Sequence, residues 1–166
     1  MGHAGTRARG EDLTTLAEGR GRWALLPIRL MVGFGFAAHG VAKLSRGPEK
    51  FAVILHAMGV PAPHLAAWVT SLLELAGGVS LMAGLGVVPL TLPLAAVMLG
   101  ALFGVHLRYG FSSIRLESLT SEGARFGPIG YELNLLYLAG LLALAVGGGG
   151  PVSLDRVLGR ARRGRG

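Results

Sequence analysis

The chain has 166 residues, of which 51% are hydrophobic and 15% charged, and its mean hydropathy of +0.54 lies outside the balance of a water-soluble domain. A net charge of +7 would suit a nucleic-acid binder, but the basic residues gather in two tails: Arg7, Arg9, Arg20 and Arg22 precede the first apolar run, and Arg156, Arg160, Arg162, Arg163 and Arg165 follow the last. That distribution points to segments held beside anionic lipid and away from nucleic acid. With no cysteine, the chain carries no disulfide framework, thiol relay or thiolate metal site.

Residues 1–22 mix Gly, Arg, Asp, Glu and Thr without apolar periodicity, and are expected to form a polar N-terminal tail, mobile or with a short surface helix. Trp23–Leu44 is the first predicted span, with Trp23 at the headgroup level and Pro27 in the first turns, where a missing N–H costs least. Its length, and Arg29, His39 and Lys43 within it, set it apart from a cleaved signal peptide. In the linker that follows, Phe51, Ile54, Leu55 and Met58 form an i, i+3, i+4, i+7 stripe ended by Gly59 and Pro61, which predicts a short amphipathic helix.

Residues 64–88 and 89–109 are the second and third spans, joined by a tight uncharged turn into an antiparallel hairpin. Arg108–Gly127 reads as a polar loop, residues 128–147 as the fourth span, and residues 151–166 as a basic C-terminal tail. The expected fold is therefore all-α: one transmembrane domain over residues 23–150, an antiparallel four-helix bundle with an amphipathic helix between spans 1 and 2. Four spans put both termini on one side. Nine Lys and Arg residues lie in the tails and six (Lys43, Arg46, Lys50, Arg108, Arg115 and Arg125) in the two opposite loops, so both termini are expected in the cytoplasm.

Ionisable groups inside spans are costly in hydrocarbon and persist when paired, hydrated or functional. Here they are Arg29, His39 and Lys43 in span 1, Glu74 in span 2, His106 in span 3 and Glu132 in span 4. On a helical wheel, Phe36, His39, Gly40 and Lys43 fall within about 100° of one another, with Arg29 on the same side. Glu74 is flanked one turn away by Thr70, Ser71, Gly77 and Gly78, a small face that lets a neighbouring helix approach. At about 1.5 Å per residue, His39, Lys43, Glu74, His106 and Glu132 fall in the half of the bundle facing the first and third loops, with Glu74 and His106 roughly 10 Å apart in height.

The same residues can equally act as structural glue, Glu74 pairing with Arg29, or Glu132 with Lys43. Gly100 and Gly104 form a GxxxG read as helix packing, and His56 and His64 read as solvated surface residues. Since no local i, i+3 or i, i+4 ligand pair exists, no metal site is expected.

In order along the chain, Arg29, Gly33, Phe36, His39, Gly40 and Lys43, then Glu74, Gly77, Gly78 and Gly84, then His106, then Gly130 and Glu132, and a glycine-rich end leading to Ser153, Leu154 and Asp155 resemble the DoxX family of bacterial four-helix membrane proteins. The resemblance implies an inner-membrane protein tied to redox metabolism, with members linked to quinone-reducing sulfur oxidation or to oxidative-stress enzymes. On that reading the chain is a membrane subunit or anchor of a redox system and not a stand-alone enzyme. It binds no covalent cofactor and no nucleic acid. Arg29, His39, Lys43, Glu74, His106 and Glu132 would form a polar pocket for a quinone headgroup, and a redox enzyme or further copies of the chain would be its partners. The competing classes are a small-solute permease component and a purely structural anchor.

Overall fold

A computed structural model describes the backbone of residues 4–163 and the side chains of residue 21 and residues 23–159. The tail arginines other than Arg156 lie outside the described side chains. Helix α1 runs Ala4–Arg46, α2 Pro48–Ala57, α3 Pro63–Ala83 and α4 Val87–Ala101. A π-helical turn, Leu102–His106, and a 3₁₀ turn, Leu107–Tyr109, extend α4. Strands β1 (Leu116–Thr120) and β2 (Gly123–Phe126) follow, then α5 (Glu132–Gly147) and α6 (Leu154–Arg163). Three stretches are long and apolar enough to cross a membrane, Trp23–Arg46, Pro63–Ala83 and Val87–Tyr109, while Glu132–Gly147 is a shorter apolar helix.

Glycine sets how closely α1 and α3 approach. A Cβ added at Gly78 would collide with the backbone of Gly33 and Ala37, and one added at Gly40 would meet the backbone of Leu75. Between helices in lipid there is little hydrophobic drive, so such small surfaces make the contact by letting backbones pack directly. Neighbouring Gly77 serves the other side of α3, where Leu94 of α4 would lie 3.3 Å from an added Cβ. The turn from α3 to α4 closes on Gly84 (φ 73°) and Gly86 (φ 60°), both left-handed, a conformation that glycine adopts without the Cβ penalty.

One core gathers Val32 and Phe36 of α1, Leu81 of α3, Val87 and Leu94 of α4, and Leu141 and Leu144 of α5. Phe36 meets Tyr137 edge to face at a centroid distance of 5.4 Å. Helix α5 passes α1 in the opposite chain direction, with Tyr137 beside Gly35, Gly140 beside Val32 and Gly147 beside Leu25. A second cluster, Ala52, Leu55 and Ala67, with Phe51 and Met58 against it, seats α2 on α3, so the predicted short helix is present and packs most of its apolar stripe on protein, while Ile54 stays 51% exposed.

Two expectations are corrected. The fold is mostly helical but not all-α, because residues read as a polar loop form a β-hairpin, with Thr120 opposite Gly123 and Leu116 opposite Phe126. A tight Ser121–Glu122 turn joins the strands, and every residue of both is exposed, so Leu116–Thr120 carries no apolar alternation by which the sequence could have marked it. The GxxxG of span 3 is not a packing face either: Gly104 lies against Met58, but nothing lies within 4 Å of a Cβ at Gly100.

Candidate functional site

The ionisable residues of the first span separate because a helix rises about 1.5 Å per residue, which puts Arg29 and Lys43 roughly 21 Å apart along α1. Arg29, only 2% exposed, stays at the end near the α3–α4 turn. Its Nη1 donates to the carbonyl of Gly149 and its Nη2 to that of Val152 at 2.8 Å, while Nε has no partner. The Asp155 carboxylate completes this end by accepting the N–H of Gly86 at 2.9 Å and of Val87 at 3.3 Å, where it caps α4. An acidic group is favoured there by the orphan N–H groups and the positive end of the helix dipole. In return Asp155 donates its own N–H to the carbonyl of Gly84 at 3.0 Å.

At the other end a cavity of about 530 Å³ opens between α1, α2, α3, α4, the π turn and α5. His39 and Lys43 come from α1, Phe51 from α2, Glu74 from α3, His106 from the π turn, and Asn134 and Tyr137 from α5. Lys43 Nζ lies 2.7 Å from both oxygens of Glu74 and so bridges the carboxylate. The Glu74 side chain is 5% exposed and that of Lys43 22%, so the pair borders the cavity rather than lying sealed within the core. Lys43 also sits over the Phe51 ring, 4.4 Å from its centroid, a cation–π contact that ties α2 to the pair.

His106 owes its position to the π turn: the extra residue in that turn shifts the side chain relative to a regular α-helix. Its Nδ1 donates to the carbonyl of Ile129 at 2.9 Å, which fixes the ring beside the cavity. Asn134, buried in an otherwise apolar helix, directs Nδ2 at Met98 Sδ, 3.1 Å away.

His39, Lys43, Glu74 and His106 thus line one cavity, and Arg29 and Glu132 do not. Glu132 Oε2 instead accepts the N–H of Ser113 at 3.0 Å, and Gly130 packs against the carbonyls of Gly110, Phe111 and Ser112, so this pair clasps the loop to the start of α5. The alternative pairings Glu74–Arg29 and Glu132–Lys43 give way to Lys43–Glu74. His64 is solvated, as expected, with its side chain 73% exposed, and its Nδ1 donates to Glu49 Oε2 across the surface between α2 and α3. Among the described residues no three His, Asp or Glu side chains cluster as a metal would require.

Sequence reasoning passed over Asn134, Tyr137, Phe51 and the capping role of Asp155. An amide within an apolar helix was the available signal for Asn134, since burying it without a partner is costly. The others depend on contacts between distant segments. No curated protein and no solved structure matches the chain. The family model that matches is DoxX, over residues 24–107, just over half of the chain. The matched segment runs from the first span through the π turn and includes Arg29, the Lys43–Glu74 pair and the close α1–α3 crossing, and this multi-pass membrane protein belongs to the DoxX family.

Proposed function

We propose that this DoxX protein is a four-span subunit of the bacterial inner membrane, serving a redox system by holding a quinone-class molecule in the Lys43–Glu74 cavity. The observation that carries the reading is that cavity: about 530 Å³, largely walled by apolar side chains, with a buried ion pair and two histidines at its rim. Apolar pockets with a few convergent polar groups suit amphipathic ligands. Lys43 and His39 are donors for quinone carbonyls, His106, with its Nδ1–H given to Ile129, presents Nε2 as an acceptor for the hydroxyl of the reduced form, and the Phe51 ring offers a stacking surface. A bound quinone would supply two-electron, two-proton carrier chemistry. Glu74, at the edge of the cavity beside Lys43, is the carboxylate to which this reading gives proton exchange with the bound molecule.

The fourth crossing would be α5. Its 16 residues span about 24 Å against a hydrocarbon thickness of about 30 Å, and flanking residues 128–131 and 148–150 extend it. Leu141 and Leu144 join the common core, whereas Leu142 and Val146 are 66% and 83% exposed, as suits a lipid-facing side. With four crossings the basic bias puts both termini in the cytoplasm. Reporter fusions at both ends check this: an active periplasmic reporter at either terminus defeats the topology.

For the ligand, the protein is purified gently from its native membrane, and solvent-extractable quinones and co-purifying proteins are identified by mass spectrometry. Quinone retained by the parent should fall at least about tenfold in Glu74→Gln and in His106→Gln, as expected for the loss of a polar contact in a desolvated site. A double-mutant cycle on retention should be non-additive while both variants stay assembled. Absence of quinone from the parent, or additive stability losses with unchanged retention, leaves the residues as structural glue and refutes the proposal.

A further inference from the structure

We infer that α6 is an amphipathic helix lying on the membrane surface, anchored to anionic lipid and held at that depth by the Arg29–Asp155 end of the core. The inference is independent of what fills the cavity. Its first support is placement. Asp155 caps α4 and hydrogen-bonds back to Gly84, so the first turn of α6 is fixed to the end of two membrane-crossing helices, where hydrocarbon gives way to headgroups. Arg29 fixes the preceding segment through the carbonyls of Gly149 and Val152.

The second support is the pattern of the helix itself. Leu154, Val157 and Leu158 fall within about 100° on the wheel, and all three are exposed, Val157 at 61%. Leu158 shares a crevice with Leu85 and Gly86 of the α3–α4 turn, and the exposed Leu85 extends the apolar strip toward the ends of the spans.

Charge complementarity selects the occupant. In sequence, Arg156, Arg160 and Arg163 recur at i, i+4 and i+7, with Arg162 and Arg165 beside them. A helix of apolar strip and arginine-rich remainder is the composition of interfacial helices that bury one side at the headgroup boundary and pair the other with acidic lipid. Each basic residue near such a surface raises binding about fivefold. A protein partner would need no such excess of positive charge beside the strip.

The absence of cysteine allows single labels in the full chain. Val157→Cys and, separately, Arg156→Cys are labelled with an environment-sensitive fluorophore, and the protein is placed in nanodiscs of phosphatidylcholine alone or of an equal phosphatidylcholine–phosphatidylglycerol mixture. The expected result is that acrylamide quenches the Val157→Cys label several-fold less in the anionic discs than in the neutral ones. High salt should reverse the difference, because screening shortens the reach of surface charge. The Arg156→Cys label should remain quenched in both discs. Equal quenching at Val157→Cys in the two lipids overturns the inference. So does protection that persists in detergent and grows with protein concentration, which would mean that a second copy covers the strip.

Discussion

At the end of the core beside residues 84–87, Arg29 directs its guanidinium at main-chain carbonyls and Asp155 receives main-chain N–H groups. Roughly 21 Å away along α1, Lys43 and Glu74 face one another as side chains beside a cavity. The first arrangement joins charge to backbone, which fixes loops and leaves little to exchange. The second sets a side-chain pair at the edge of a cavity with its lysine partly exposed, so its partners can be exchanged for a ligand at small rearrangement. Buried charge in one helix can therefore serve as a latch at one end and as a site at the other.

The largest effect is expected where α1 and α3 join the two ends. Gly78→Leu would force a side chain into the backbone of Gly33 and Ala37, which cannot yield as a flexible side chain does, and should destabilise by about 3 kcal/mol or more. Thermal unfolding in mild detergent, followed by size-exclusion chromatography, measures this. A variant that melts with the parent would mean that the crossing is not close.

Next comes the latch. Arg29→Met deletes two charge-assisted hydrogen bonds from a buried guanidinium to main-chain carbonyls, for a loss of roughly 3 kcal/mol. The cavity is remote from this change, so the molecules that remain folded should bind its ligand with parental affinity. Loss of binding without loss of stability would contradict the division between the two ends.

The smallest effect on stability belongs to Gly100→Leu. Nothing lies within 4 Å of the added Cβ, and leucine is favoured over glycine in a helix interior by about 1 kcal/mol, so melting should stay at or slightly above that of the parent. Gly100 lines the cavity, so the same change should obstruct ligand uptake. Unaltered uptake would show that the cavity is not the route.

The sequence by itself determined that the chain belongs in a membrane and where its main apolar runs lie, because hydrocarbon thickness imposes a length and helical backbone satisfies its own hydrogen bonds. It also marked the short helix after the first span, from its apolar stripe, and the intimacy of Gly78 with a neighbouring helix, from the small residues around Glu74. The family was legible for the same reason, since its spaced Gly, His, Lys and Glu residues stand out against leucine and alanine. Tertiary structure decided the rest. Only it paired Glu74 with Lys43 in place of Arg29, because partner choice depends on helix height and rotation together. Only it turned Glu132 and Gly130 into a loop clasp, brought Asn134 and Tyr137 beside the cavity, and made Asp155 a cap for a helix whose first residue, Val87, lies 68 residues earlier. Those contacts join segments that share no local pattern, and their energy exists only once the helices have packed.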